Sequence, residues 1–171
     1  LGFQTPHQGG YHIAPPQDVA YDFRSRVAML MENQGIKVKY HHHEVGSAQM
    51  EIEVEFGTMT EMADKTMLTK YIVKNEAVAE GKTATFMPKP KQGVAGSGLH
   101  INISVYKDGR NVFNSNDRTE VTEEAKWFMG GILKHVKSMC AITNPLVNSY
   151  KRIVSGFEAP QDIMWTCRHR N

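Results

Sequence analysis

The sequence is poor in cysteine. Only Cys140 and Cys167 occur, and they form no CxxC pair. A disulfide framework is therefore unsupported, and a reducing, cytoplasmic setting is expected. Charge of one sign is lacking too. Twenty Lys and Arg stand against 18 Asp and Glu, for a net charge of +2. That is too little to imply nucleic acid or an anionic membrane as a partner, and no Lys/Arg run builds a basic patch. No apolar run approaches the roughly 20 residues of a membrane span. The opening LGFQTPHQGG has neither the basic nor the apolar region of a signal peptide, nor an initiator Met, so the sequence reads as an excerpt of a longer one. Internal repeats and low-complexity linkers are absent. So are the common phosphate motifs. Gly81-Lys82-Thr83 resembles the end of a P-loop, but the earlier glycine would have to stand at Glu76. GVAGSG, with glycines at 93, 96 and 98, does not fit GxGxxG. It is instead a loop where backbone can approach a ligand closely.

What is present suits a folded chain. Hydrophobic residues make up 40% and charged residues 22%, enough for a core and close to the globular average. A length of 171 residues fits one domain or a piece of a larger one. Val19, Phe23, Val27, Leu30 and Met31 recur at helical spacing, with Gly35 as a stop. IKVKYHHHEV and residues 50–56 read as strands, and residues 58–79 as a long helix burying Met62, Met67, Tyr71 and Val78. TATFMPKP and LHINISVY read as further strands. Asp108-Gly109 centres a hairpin turn. Thr122 caps a helix whose first turn carries Glu123 and Glu124 and which ends before Pro145. The closing NSYKR segment reads as irregular or short-stranded. Strands and helices mix without a βαβ rhythm, which favours α+β.

The chemistry lies in the strands, whose successive side chains point to opposite faces. From 50 to 56, Met50, Ile52, Val54 and Phe56 share one face, and Glu51, Glu53 and Glu55 share the other. A solvated edge would account for the acids alone. In LHINISVY, however, the polar face is His100, Asn102, Ser104 and Tyr106, a composition better suited to a ligand-facing wall than to open solvent. In HHHEV, His42 and Glu44 share a face opposite His41 and His43, and one or two of these rings are expected in the core or behind the ligands. Carboxylates with few imidazoles suit Mg²⁺ or Mn²⁺ better than zinc. Mg²⁺ usually arrives with phosphate, which brings a nucleotide with it. Arg152, Arg168 and Arg170, with Glu158, add guanidinium forks for anionic oxygens.

HHHEV, TATFMPKP, GSGLH, NSYKR and GFEAP, in that order along nearly the whole chain, resemble bacterial type I glutamine synthetase. The resemblance implies a curved antiparallel sheet, a half-barrel flanked by helices, with residues 1–171 as a single domain. That domain is the central segment of a catalytic domain whose N-terminal domain and C-terminal part lie outside it. It implies a homo-oligomer of stacked rings and a ligase that joins glutamate and ammonia with ATP through a γ-glutamyl phosphate. Glu44, Glu51 and His100 match the family's metal ligands for Mg²⁺ or Mn²⁺, two or three ions in the complete site. Phe56, Asn102 and Ser104 match contacts to ATP, and Gly96 matches a backbone contact to glutamate. Arg152 and Arg170 match arginines that hold carboxylate and phosphoryl oxygens. Glu158 matches a flap glutamate that helps deprotonate ammonium and shields the acyl phosphate. The chain departs from the family at Ala95, where many members have Asn, and at Lys39, where some have Glu. It also departs at Ser155, His169 and Asn171, where Pro, Asn and Ser are usual. A γ-glutamyl ligase for an organic amine and a catalytically incompetent fragment or homologue are the alternatives.

Overall fold

The computed structural model describes residues 7–115, 120–157 and 159–166. The chain divides into two compact units, Leu1–Ser97 and Gly98–Asn171. Both combine helices with antiparallel strands, as the α+β expectation requires.

In the first unit, helix α1 (Tyr21–Asn33) buries Phe23, Val27 and Met31, spaced four apart along one stripe. Its end is a Schellman motif. Gly35 takes φ +76°, Gly35 N–H donates to Glu32 O, and Ile36 N–H donates to Met31 O at 2.9 Å. The turn delivers Ile36 into the same core and starts β1 (Val38–His43), which pairs antiparallel with β2 (Met50–Val54). A register shift between Val38 and Tyr40 sets which side chains of β1 face α1. Helix α2 (Met59–Ala79) closes the core with Ile72 and Ala77, and Ile52 and Val54 pack against it. Each fully buried aliphatic side chain contributes about 1.5–3 kcal/mol. Three expected buried residues of α2 are instead exposed: Met67, Tyr71 and Val78. That helix carries apolar side chains around its circumference, so periodicity alone does not choose the face, and the α1 stripe chooses Ile72 and Ala77.

In the second unit, β3 (Tyr106–Lys107) and β4 (Arg110–Asn111) form the expected hairpin. Asp108 and Gly109 take φ 50° and 76°, the left-handed pair that a two-residue hairpin turn needs. Thr122 caps α3 (Glu123–Thr143) by accepting from Ala125 N–H, while its hydroxyl donates to Val112 O at 2.9 Å. NSYKR is helical in α4 (Val147–Arg152), not irregular, because Pro145 follows the end of α3 and a new helix starts two residues later.

The described strands form two separate two-stranded sheets, not one continuous curved sheet. Residues 83–87 and 99–105 have strand-like patterns but are not in strands. Leu99 and Ile101 are largely exposed. Alternation alone does not make a ladder: backbone N–H and C=O groups need a neighbouring strand.

Candidate functional site

The β1–β2 ladder divides the histidine run by simple alternation. His42 stands opposite Glu51, and His41 opposite Ile52. His42 therefore shares a face with Glu51, and the chain beyond the strand brings Glu44 to the same place. His42 Nε2 lies 3.9 Å from Glu51 Oε1, and His42 Nδ1 lies 3.9 Å from Glu44 Oε1. One ligand atom from each of the three falls within 4.8 Å of the others. His42 Nδ1 is 3.0 Å from His43 O. A carbonyl only accepts, so Nδ1 carries the hydrogen of that contact. Backbone fixing of one ring nitrogen is how proteins aim the other at a metal. Two carboxylates and one imidazole fit Mg²⁺ or Mn²⁺.

The other acids of β2 are taken. Lys39 Nζ lies 2.6 Å from Glu53 Oε1, and the Tyr40 hydroxyl donates to Glu53 as well. The Glu53 hydrogen bond and charge hold the Lys39 pKa above its ordinary value. Glu55 faces Lys37 at 3.9 Å. The acidic face thus splits into charge-paired Glu53 and Glu55 and a ligand-capable Glu51.

Behind the ladder, α1 grips the opposite face. Arg24 and Asp18, 2% and 5% exposed, form a two-pronged pair with N–O distances of 3.0 and 2.5 Å. Arg24 Nε donates to His41 Nδ1 at 3.3 Å. Burial, followed by the Arg24 charge, lowers the His41 pKa, so the ring is neutral with its hydrogen on Nε2. Burial pushes the Asp18 carboxyl up, but the Arg24 hydrogen bond and charge outweigh it and hold the group below its usual range. His43 is fully buried beside this pair, with Nδ1 2.6 Å from Glu44 O. Residues 10–12 run alongside: Gly10 N–H donates to Val45 O and His12 N–H to His43 O, and the His12 ring stacks on His42 at 4.2 Å. A Cβ at Gly10 would lie 2.4 Å from Glu44 O, so only glycine fits there.

Gln49 links this turn to the glycine-rich loop. Its backbone oxygen accepts from Glu44 N–H at 2.8 Å, its Oε1 accepts from Gly46 N–H at 3.0 Å, and its Nε2 donates to Gly96 O at 2.7 Å. The loop is closed on its other side by Ser97 N–H to Pro88 O at 2.9 Å and by the buried Lys89, whose Nζ donates to Val94 O at 2.5 Å.

Phe56 is 73% exposed beside a depression lined by Lys37, Val54, Met62 and Lys65. His100, Asn102 and Ser104 belong to the second unit and are exposed. Within that unit His100 Nε2 and Arg152 Nη2 converge on Gly98, 3.0 and 2.9 Å from where a Cβ would sit. Burial lowers the Arg152 pKa, and its buried Nε has no hydrogen-bond partner among the described residues. Glu158, Arg168 and Arg170 lie outside the described residues. Two members lie outside the expected ligand set. His42 shares a face with Glu44 by alternation but is not among the expected metal ligands, and Gln49 carries no sequence signal because its partner is 47 residues away.

The family described as glutamine synthetase, catalytic domain, matches residues 1–171. A glutamine synthetase from Rhodobacter capsulatus is 46% identical over 171 residues, covering 100% of this chain and 39% of that protein. A 3-hydroxylaminophenol mutase from Cupriavidus pinatubonensis is 47% identical over 99% of this chain and 36% of its own. The electron cryomicroscopy structure of Plasmodium falciparum glutamine synthetase superposes with a TM-score of 0.83 at 38% identity, covering 88% of this chain and 29% of that one. The chain thus spans 36–39% of the length of these curated relatives.

Proposed function

This chain belongs to the glutamine synthetase family, and we propose that it supplies part of the catalytic centre of an ATP-dependent ligase that joins ammonia to the γ-carboxylate of glutamate. The observation that carries this reading is the convergence of His42, Glu44 and Glu51 in a chain that matches the family along its whole length. Glu44 and Glu51 hold a Mg²⁺ or Mn²⁺ ion, and His42 Nε2 lines the same pocket. When bound, such ions neutralise phosphoryl charge and orient the reacting oxygens. His100 serves the cation at the phosphates in the second unit. Phe56, an exposed aromatic, offers a stacking face to adenine, and Asn102 and Ser104 offer polar contacts to the nucleotide. Gly96 meets glutamate through its backbone.

The Arg152 guanidinium, half-buried with a spare donor, suits the substrate carboxylate or the transferring phosphoryl oxygens. Arg170 is assigned the same role. Glu158 takes the proton from ammonium and keeps water from the γ-glutamyl phosphate. The family's curved half-barrel, its stacked-ring homo-oligomer and a cytoplasmic setting belong to the same proposal. No helix among the described residues is long and apolar enough to cross a membrane.

The test is phosphate release by the intact protein with ATP, L-glutamate, Mg²⁺ and a series of amines. Ammonia-dependent release with glutamine as product is expected. Methylamine or a polyamine outpacing ammonia replaces this reading with a γ-glutamyl ligase for organic amines. No amine-dependent release at all removes the ligase.

A further inference from the structure

Glu44 and Glu51 flank a turn, and Gly96 lies on a loop more than 40 residues further along the chain. A single side chain ties the two together. Gln49 is the last residue before β2, and all four of its amide groups are used. Its backbone N–H donates to Gly46 O at 2.9 Å, and its backbone oxygen accepts from Glu44 N–H at 2.8 Å. Its side-chain oxygen accepts from Gly46 N–H at 3.0 Å. These three bonds shape the turn that aims Glu44 and Glu51. The fourth leaves the turn: Nε2 donates to Gly96 O at 2.7 Å.

The receiving loop is well anchored, with its mouth closed by Ser97 N–H to Pro88 O and a buried lysine donating into it at Val94. A change in the loop's position is therefore felt through Gly96 by Gln49, and through Gln49 by both carboxylates. Only an amide serves both ends at once. It accepts from Gly46 through its oxygen and donates to Gly96 through its nitrogen, whereas a carboxylate can do the first but not the second.

We propose that Gln49 is a positioning residue that couples the amino-acid loop to the cation pocket, so that occupancy of one strengthens the other. This deepens the ligase reading above and rests on it. Because coupling is reciprocal, it is measurable as a change in cation affinity when the amino acid binds.

The experiment is a Mn²⁺ titration of the intact protein followed by electron paramagnetic resonance, with and without saturating L-glutamate and without nucleotide. The readout is the ratio of the two dissociation constants. Any uniform effect of a substitution on cation affinity cancels in that ratio, and Mn²⁺ binding itself reports a folded pocket. In the unmodified protein, glutamate tightens Mn²⁺ binding by about fivefold or more, the lower end of typical coupling. In Gln49→Glu, which keeps the acceptor for Gly46 and loses the donor to Gly96, the ratio collapses toward one. Gln49→Met, which loses both, gives the same collapse. A ratio that survives in either variant overturns the proposal, as does a ratio of one in the unmodified protein with Mn²⁺ bound. Failure of the unmodified protein to bind Mn²⁺ at all sinks the cation reading itself, and so is distinguishable from failure of the coupling.

Discussion

His42 and Glu51 are partners across the β1–β2 ladder, with His42 Nε2 3.9 Å from a Glu51 carboxylate oxygen. The pairing makes an imidazole part of a pocket otherwise made of carboxylates. Its hydrogen on Nδ1 is committed to the His43 carbonyl. His42→Ala is expected to weaken Mn²⁺ binding about tenfold, the lower end of losses seen when a group orienting or lining a metal site is removed. Glu53→Gln, on the same face but bound to Lys39 and Tyr40, is expected to leave Mn²⁺ affinity unchanged. Paired Mn²⁺ titrations check the contrast, and equal losses in the two variants would mean that the acidic face acts as diffuse charge.

Gly10→Ala places a methyl group 2.4 Å from Glu44 O and 2.5 Å from His43 Nδ1. Neither neighbour is a flexible tip: one is backbone and the other a fully buried ring. A loss of about 1–3 kcal/mol is expected, as for other overpacked sites. Urea unfolding measures it. An unchanged midpoint would show that residues 10–12 do not lie against the strand end.

The core of the first unit is centred on α1. Met31 is completely buried, and Met31→Ala is expected to cost about 2–5 kcal/mol. Val78, 74% exposed, is expected to tolerate alanine within about 0.5 kcal/mol. The same urea measurement distinguishes the two. A larger loss at Val78 than at Met31 would restore the face of α2 that the sequence pattern suggested.

Acid stability follows from Asp18. Burial opposes its charge, but the Arg24 fork, the Ala20 N–H and the nearby His43 together lower its folded pKa below the unfolded value of about 3.9. Its stabilising effect is then complete above that value and is lost as pH falls through the lower, folded pKa. Asp18→Asn should unfold more easily at neutral pH and show a flatter loss of stability below about pH 4. Urea midpoints across that range are the check, and parallel curves for the two proteins would remove Asp18 from the account.

Local signals in the sequence carried much of this structure. The Phe23, Val27 and Met31 stripe of α1, the Asp108-Gly109 turn and the Thr122 cap each depend on residues within a few positions of one another, and each is found where the pattern places it, whereas Val19 and Leu30 of the same helical pattern are exposed. Alternation also placed His42 with Glu44 and the acids of β2 on their own face. What alternation does not encode is pairing. Residues 99–104 have a strand's pattern but pair with no strand among the described residues, and the exposed polar face of His100, Asn102 and Ser104 follows from that. The charge pairing that occupies Glu53 and Glu55 but not Glu51 depends on the register shift in β1, which no local motif announces. Gln49 is the extreme case, since its role exists only once the chain has returned to it at Gly96.

The most direct test of the central claim is Mn²⁺ titration of the intact protein beside its Glu51→Gln variant, which keeps side-chain shape and removes one ligand charge. The unmodified protein is expected to bind Mn²⁺ and the variant to hold it at least about tenfold more weakly, with an unchanged melting temperature in the absence of metal. Equal affinity in the two proteins would contradict it, because Glu51 would then face the pocket of His42 and Glu44 without serving a cation there.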